Sequence, residues 1–327
     1  MARPTIVILD DWQHALSTRP EIARLRERAD VRVYDDHADS ADELARRLDG
    51  AVAVMLIRER TKFSAETFAR APSLRLIVQT GGGGAHLDRA AAEAHGVQVV
   101  FTGGPDYPVV ELTIGLLIGL LRRIPWSDRQ LRAGEWPMFV GEDCHGKTLG
   151  ILGFGRIGSG TARVAQALGM RVVAWGPTLT AERAQTGGAT FLPLDDVLRT
   201  ADVVSIHLRL SPESTGLLSR ERLALLRPTA YLINTARGAI VDEAALVEML
   251  QRGRLAGAAL DVFPKEPPGD HPILRLENVI VSPHVAGGST EANLAAARMA
   301  CESVVSVLKG GRVAYCVNPD VYGGARA

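Results

Sequence analysis

"LGILGFGRIGSG", residues 149–160, is the stretch on which the fold turns. An apolar run leads into Gly153, Gly155 and Gly158, and a helix-forming stretch, "RIGSGTARVAQALG", follows. The G-x-G-x-x-G spacing between strand and helix is that of a dinucleotide-binding turn. A tight turn, close backbone approach to a pyrophosphate and close packing of helix on strand each favour a residue without a side chain. A plain glycine turn would show the same letters, so the weight rests on the strand–turn–helix context.

The next strand candidate, "RVVAW" (171–175), ends where such a fold places an acid for the adenosine ribose, and Gly176 stands there instead. An aspartate would bind both ribose hydroxyls and repel a 2′-phosphate. Pro177, Thr178, Leu179 and Thr180 follow, with no arginine for a phosphate, and Arg183 falls on the next helix. The usual selectivity device is thus absent rather than reversed. A nicotinamide dinucleotide is expected, NAD slightly ahead of NADP.

Further candidate strands surround this pair: "LGIL" (149–152), "DVVSIHL" (202–208), "AYLINT" (230–235), "AGAALDV" (256–262) and "NVIVSP" (278–283). Their continuous apolar character suits strands covered on both faces. An earlier series, "IVILD" (6–10), "VRVY" (31–34), "AVAVMLI" (51–57), "LRLIVQ" (74–79) and "VQVV" (97–100), alternates with amphipathic stretches such as "ADELARRL" (41–48). Both series predict parallel, doubly wound α/β sheets. A long helical stretch runs between them through about Arg132, and a last helix covers roughly 289–309. The pattern alone leaves open whether two domains follow one another or one is inserted in the other.

The 327 residues, 46% hydrophobic and 23% charged, suit two globular domains. Lys plus Arg equals Asp plus Glu at 37 each, so net charge directs the protein to neither nucleic acid nor an acidic surface. Cys144, Cys301 and Cys316 show no ligand spacing, and the histidines show none either, so no metal is expected. The "LTIGLLIGLL" run (112–121) is too short for a membrane span and reads as a buried helix. No secretion signal is read in "MARPTIVILDDWQ", and a soluble, cytoplasmic protein is expected.

The chemistry gathers in "INTARGAIVDEAAL" (233–246), "ALDVFPKEPP" (259–268) and "VSPHVAGGST" (281–290), each after a candidate strand. They bring Arg237, Glu266 and His284 to the carboxyl edge of one parallel sheet, where such sheets bind ligands. A guanidinium fork suits a carboxylate, an imidazole is the natural acid/base near neutral pH, and a neighbouring carboxylate fixes its tautomer.

With these four ordered motifs the sequence resembles, over nearly its whole length, the D-isomer-specific 2-hydroxyacid dehydrogenases. The resemblance implies a flavodoxin-like substrate domain, discontinuous over 1–103 and 290–327, with an inserted Rossmann-type cofactor domain at 104–289. It implies hydride transfer between a nicotinamide cofactor and C2 of a small 2-keto or D-2-hydroxy acid. Arg237 would anchor the substrate carboxylate, His284 would donate the proton and Glu266 would partner it. Asp261 would meet the nicotinamide carboxamide. Arg156, Ile157, Thr178, His207, Thr235, Ala236 and Gly287 would line the cofactor cleft with the three glycines and Gly176. In "QTGGGGAHLD" (79–88), Gly82 and Gly83 would hold substrate through backbone amides, and Arg58, with Arg60 nearby, would meet its anionic group. His86 in that loop reads as an exposed histidine. A homodimer without nucleic-acid or membrane partners is implied. Two other readings use the same fold: formate- or phosphite-type oxidation, and a non-catalytic nucleotide-sensing protein.

Overall fold

Short β-branched runs become strands and capped amphipathic stretches become helices throughout the chain. The computed structural model describes residues 3–81, 84 and 86–322. It forms two compact units, Met1–Pro105 with Gly288–Ala327, and Asp106–Gly287. The first junction falls at the N-cap of a helix begun by Tyr107, and the second lies just before Ser289, which caps the last helix.

The first unit runs β1 (Thr5–Leu9), α1 (Pro20–Arg26), β2 (Asp30–Val33), α2 (Ala41–Leu48), β3 (Ala51–Leu56), α3 (Ala65–Ala69), β4 (Leu76–Gln79), α4 (Arg89–Ala94) and β5 (Gln98–Phe101). All neighbouring strands are parallel, in the order β2-β1-β3-β4-β5, the flavodoxin-like arrangement. Period-two alternation sends Val7, Leu9, Val54 and Leu56 to one face and Ile6, Ile8, Ala53 and Met55 to the other. The first face packs against Leu44, Leu48 and Phe68. The second packs against Ile22 and Leu25 and against Ala297, Ala300 and Val304 of the C-terminal helix.

The second unit runs α5 (Tyr107–Leu121), α6 (Ile124–Arg132), β6 (Thr148–Leu152), α7 (Arg156–Ala167), β7 (Arg171–Trp175), α8 (Ala181–Thr186), β8 (Thr190–Phe191), α9 (Leu194–Thr200), β9 (Val203–Ile206), α10 (Arg220–Leu223), β10 (Tyr231–Asn234), α11 (Glu243–Gln251), β11 (Gly257–Leu260) and β12 (Val279–Val281). The C-terminal helix, α12 (Thr290–Leu308), returns the chain to the first unit. The sheet order is β12-β11-β10-β9-β6-β7-β8, all parallel. Strand order reverses between β6 and β9, which opens a crevice at their carboxyl ends. Buried residues of α5 and α7 cover one face of this sheet, and those of α9 and α11 the other.

Two elements differ from the sequence reading. The long helical stretch is two helices, broken at Arg123, whose φ is +51°. Pro125 has no N–H to continue the first helix and suits the first turn of a new one. The two-residue strand β8 is too short to leave a periodic signal.

Candidate active site

The glycine turn is held by contacts that only glycine allows. A Cβ on Gly158 would come within 2.1 Å of the Gly153 carbonyl oxygen, and Gly153, at φ +98°, faces the His207 carbonyl oxygen at 2.6 Å from where its Cβ would lie. Gly155, by contrast, opens onto free space at the N-terminus of α7, and no side chain caps that helix. Unsatisfied helix N–H groups beside an open glycine fit a pyrophosphate. Arg156 begins the helix, exposed, with Asp106 at 3.2 Å, and Ile157 is half-buried.

Gly176 and Thr178 follow β7. A Cβ on Gly176 would meet Leu179 at 3.5 Å and the Phe154 nitrogen at 3.7 Å, ordinary contact distances. The Thr178 carbonyl accepts from Arg183 Nη1 at 2.9 Å. His207 follows β9, its Nε2 2.9 Å from Ser205 Oγ, and burial pushes its imidazole down to about 4. It therefore stays neutral at physiological pH.

At the other end of the edge, His284 Nδ1 lies 2.7 Å from Glu266 Oε2, while the Phe263 N–H donates to Glu266 Oε1 at 3.0 Å. Burial pushes the Glu266 carboxyl up, but the His284 and Phe263 hydrogen bonds and the Arg237 charge outweigh it and hold it below the usual range. The carboxylate is thus kept charged beside the imidazole.

His284 adopts φ +54°, in a region unusual for a side-chain-bearing residue. Asp261 explains how that conformation is kept. Its fully buried carboxylate accepts from Ser282 Oγ at 2.6 Å and from the Val285 and Ala286 N–H groups at 2.9 Å each. Its carbonyl accepts from the His284 N–H at 2.8 Å. The resemblance implied a contact with the nicotinamide carboxamide; in this structure the Asp261 carboxylate acts on the loop that carries His284.

Asn234 does similar work for Arg237 and was not singled out in the sequence. Buried at the end of β10, it donates to the Arg237 carbonyl at 3.0 Å and accepts from the Ala236 N–H at 3.0 Å. Arg237 Nη1 also donates to the Ala236 carbonyl at 2.7 Å. A Cβ on Gly238 would lie 2.1 Å from the Phe263 carbonyl carbon, so the Arg237 turn presses on the segment leading to Glu266. Thr235 Oγ1 meets Thr113 Oγ1 at 3.2 Å in the core, Ala236 is buried, and Gly287 is exposed at the end of the unit.

Arg58 and Arg60 lie in the first unit. Arg58, at φ +57°, donates its N–H to Thr80 Oγ1 at 3.0 Å. Arg60 stacks 4.2 Å above the Trp12 ring and donates to the Asp10 carbonyl at 2.6 Å. Gly82 and Gly83 lie outside the described residues. His86 departs from its reading as an exposed histidine: both ring nitrogens are buried, and burial lowers its pKa against the Glu59 charge. Among the described residues, no group of three or more His, Cys, Asp or Glu side chains could hold a metal ion, and no helix is long and apolar enough to cross a membrane.

Residues 114–286 match a family model described as "D-isomer specific 2-hydroxyacid dehydrogenase, NAD binding domain". A glyoxylate reductase of Thermofilum pendens is 36% identical over 332 residues, covering 98% of this chain and 96% of that protein. The chain belongs to the D-isomer-specific 2-hydroxyacid dehydrogenase family. A second member, the D-3-phosphoglycerate dehydrogenase of Archaeoglobus fulgidus, is 37% identical over 85% of this chain. The chain spans 54% of that protein's length. Among solved structures, a phosphoglycerate oxidoreductase from Vibrio cholerae superposes with a TM-score of 0.87 at 30% identity, over 95% of this chain and all of that one. An acyclic imino acid reductase in complex with NADPH and D-Arg gives 0.79 at 25% identity, over 96% and 99%. The matched stretch, residues 114–286, lies within the second unit, whose sheet carries the glycine turn and the crevice.

Proposed function

We propose that this chain catalyses hydride transfer between a nicotinamide dinucleotide and C2 of a small 2-keto or D-2-hydroxy acid. The His284–Glu266 pair, 2.7 Å apart on the same sheet edge as Arg237, carries the reading. The dinucleotide supplies or accepts the hydride. Glu266 accepts from Nδ1 and so leaves Nε2 to deliver the proton to the keto oxygen during reduction. Arg237 suits the substrate carboxylate, its guanidinium offering a planar fork. In this reading Met1–Pro105 with Gly288–Ala327 is the substrate domain and Asp106–Gly287 is the cofactor domain.

The test is the absorbance of reduced nicotinamide during incubation with glyoxylate, hydroxypyruvate, pyruvate and phosphohydroxypyruvate, with either reduced cofactor. Turnover with at least one acid is expected. Tight nucleotide binding without turnover of any would point instead to a sensing role.

A homodimer is part of the proposal. Trp136, Met138 and Val140 are 81%, 88% and 94% exposed on the segment after α6, next to exposed Ile124 and Leu131. So much apolar surface in one stretch marks an interaction face, and two-fold pairs are the commonest closed assemblies. Light scattering across a concentration series should give twice the chain mass; a constant monomer mass would remove this part. The three free cysteines suit the reducing cytoplasm in which we place the protein.

A further inference from the structure

One of the segments that leave the sheet beside the glycine turn carries a cation that the glycine fingerprint does not announce. Leu152 of β6 pairs in register with Trp175 of β7 on one side and with Ile206 of β9 on the other. Gly176 and the segment His207–Arg209 therefore leave the sheet at the same level and flank the glycine turn. They stand two strand spacings apart, each about 4.8 Å. Gly176 brings no acid to this place.

Arg209 is the charge on the opposite bank. Its backbone is fixed: its carbonyl accepts from Ser214 Oγ at 2.7 Å, and Ser214, buried, also receives the Ser211 N–H at 2.8 Å. Its side chain is exposed, and among the described residues the guanidinium makes no hydrogen bond and no ion pair. Most arginines of this unit are engaged otherwise: Arg156 with Asp106, Arg183 with the Thr178 carbonyl, Arg222 with Asp195 and Arg227 with Asp202. Glu182 and Glu213 are the acids on the adjoining segments, both exposed, and no ion pair joins either to Arg209. A solvated guanidinium on a fixed backbone loses little on meeting an anion and offers the bidentate geometry that phosphate prefers.

We propose that Arg209 is a specificity-determining residue that makes this site favour the 2′-phosphorylated dinucleotide, NADP(H), over NAD(H). The proposal rests on the reading of the second unit as a nicotinamide-dinucleotide site. It reverses the slight preference for NAD taken from the residues after β7, because the cation comes from β9, on the far side of the glycine turn. No acid at Gly176 opposes the phosphate.

Binding of two cofactor fragments separates the proposal from the reading beneath it. The whole chain is titrated calorimetrically with ADP-ribose and with 2′-phospho-ADP-ribose, neither of which can be turned over. The phosphorylated fragment should bind about tenfold more tightly, or about 1.4 kcal/mol, at low salt, with the preference shrinking as salt is raised. R209A should erase the preference and leave ADP-ribose affinity within about twofold. R209K, which keeps charge but not the fork, should keep part of it. Equal affinity for the two fragments, tighter binding of ADP-ribose, or an unchanged preference in R209A would overturn the role of Arg209 while leaving the dinucleotide site standing. Failure of both fragments to bind would overturn the site and the proposal together.

Discussion

At one end of the seven-stranded sheet's carboxyl edge, Arg237, Glu266 and His284 are held by buried groups. At the other end, Gly176 and the segment His207–Arg209 leave the sheet at one level on either side of an open glycine turn, with few ties. Asp261 makes four hydrogen bonds to residues 282–286 through its carboxylate and carbonyl, and Asn234 binds two groups of the Arg237 turn. Nothing comparable restrains the Arg209 side chain among the described residues. Groups that move protons need fixed geometry, since a small displacement costs rate steeply. A group that only selects a charged ligand can remain solvated and flexible until the ligand arrives. On the proposed reading, rigidity on this edge follows the chemistry.

The largest effect that would break this contrast comes from His284. H284A should lower the rate of keto-acid reduction by about 10²–10⁴-fold, the usual cost of losing a general acid, with ADP-ribose affinity nearly unchanged. Near wild-type turnover on any good substrate would remove His284 from the reaction and leave its fixed backbone unexplained.

G176D probes the open end. The contacts at this position leave room for a Cβ, so the aspartate can be housed without displacing the turn. It adds an acceptor for the ribose hydroxyls and repels a 2′-phosphate. A hydrogen bond to a charged group contributes about 1.5–3 kcal/mol, so preference should move toward NADH by about ten- to a hundredfold. The ratio of kcat/KM with the two reduced cofactors measures it. An unmoved ratio would mean that the adenosine ribose does not reach Gly176.

E266Q sharpens the comparison at the tight end by a smaller amount. Glu266 is held below the usual carboxylate range, so it stays charged where it meets His284 Nδ1 at 2.7 Å. The amide keeps the size of the side chain but loses the charged acceptor that fixes the ring's orientation. E266Q should therefore lower kcat by about tenfold, the worth of one charge-assisted hydrogen bond at the low end, with ADP-ribose affinity unchanged. An unchanged kcat would show that the 2.7 Å contact does not orient the imidazole.

Much of the site was legible because local chemistry demanded it. Gly153 and Gly158 could be found from spacing, and the clashes that a Cβ would meet explain why no other residue serves. Arg237, Glu266 and His284 could be placed on one edge because each follows a strand of a parallel series. Asn234 and Arg209 left no such signal. An asparagine at a strand end and an arginine in a loop are common, and their significance lies in what surrounds them. His86 was misread for the same reason, since a loop histidine carries no local mark that its ring nitrogens are buried.

The sequence by itself determined two parallel α/β sheets, a glycine turn between strand and helix, and a histidine and a carboxylate that each follow a strand of one series, because hydrophobic periodicity and turn chemistry are local properties. Tertiary structure alone decided which side chains hold His284 and Arg237 in place, and that among the described residues the Arg209 guanidinium makes no ion pair. Those outcomes depend on strand register, which sets Trp175 and Ile206 level with Leu152. Register is a relation between segments more than 20 residues apart in the chain, and it becomes fixed only when both faces of the sheet are packed.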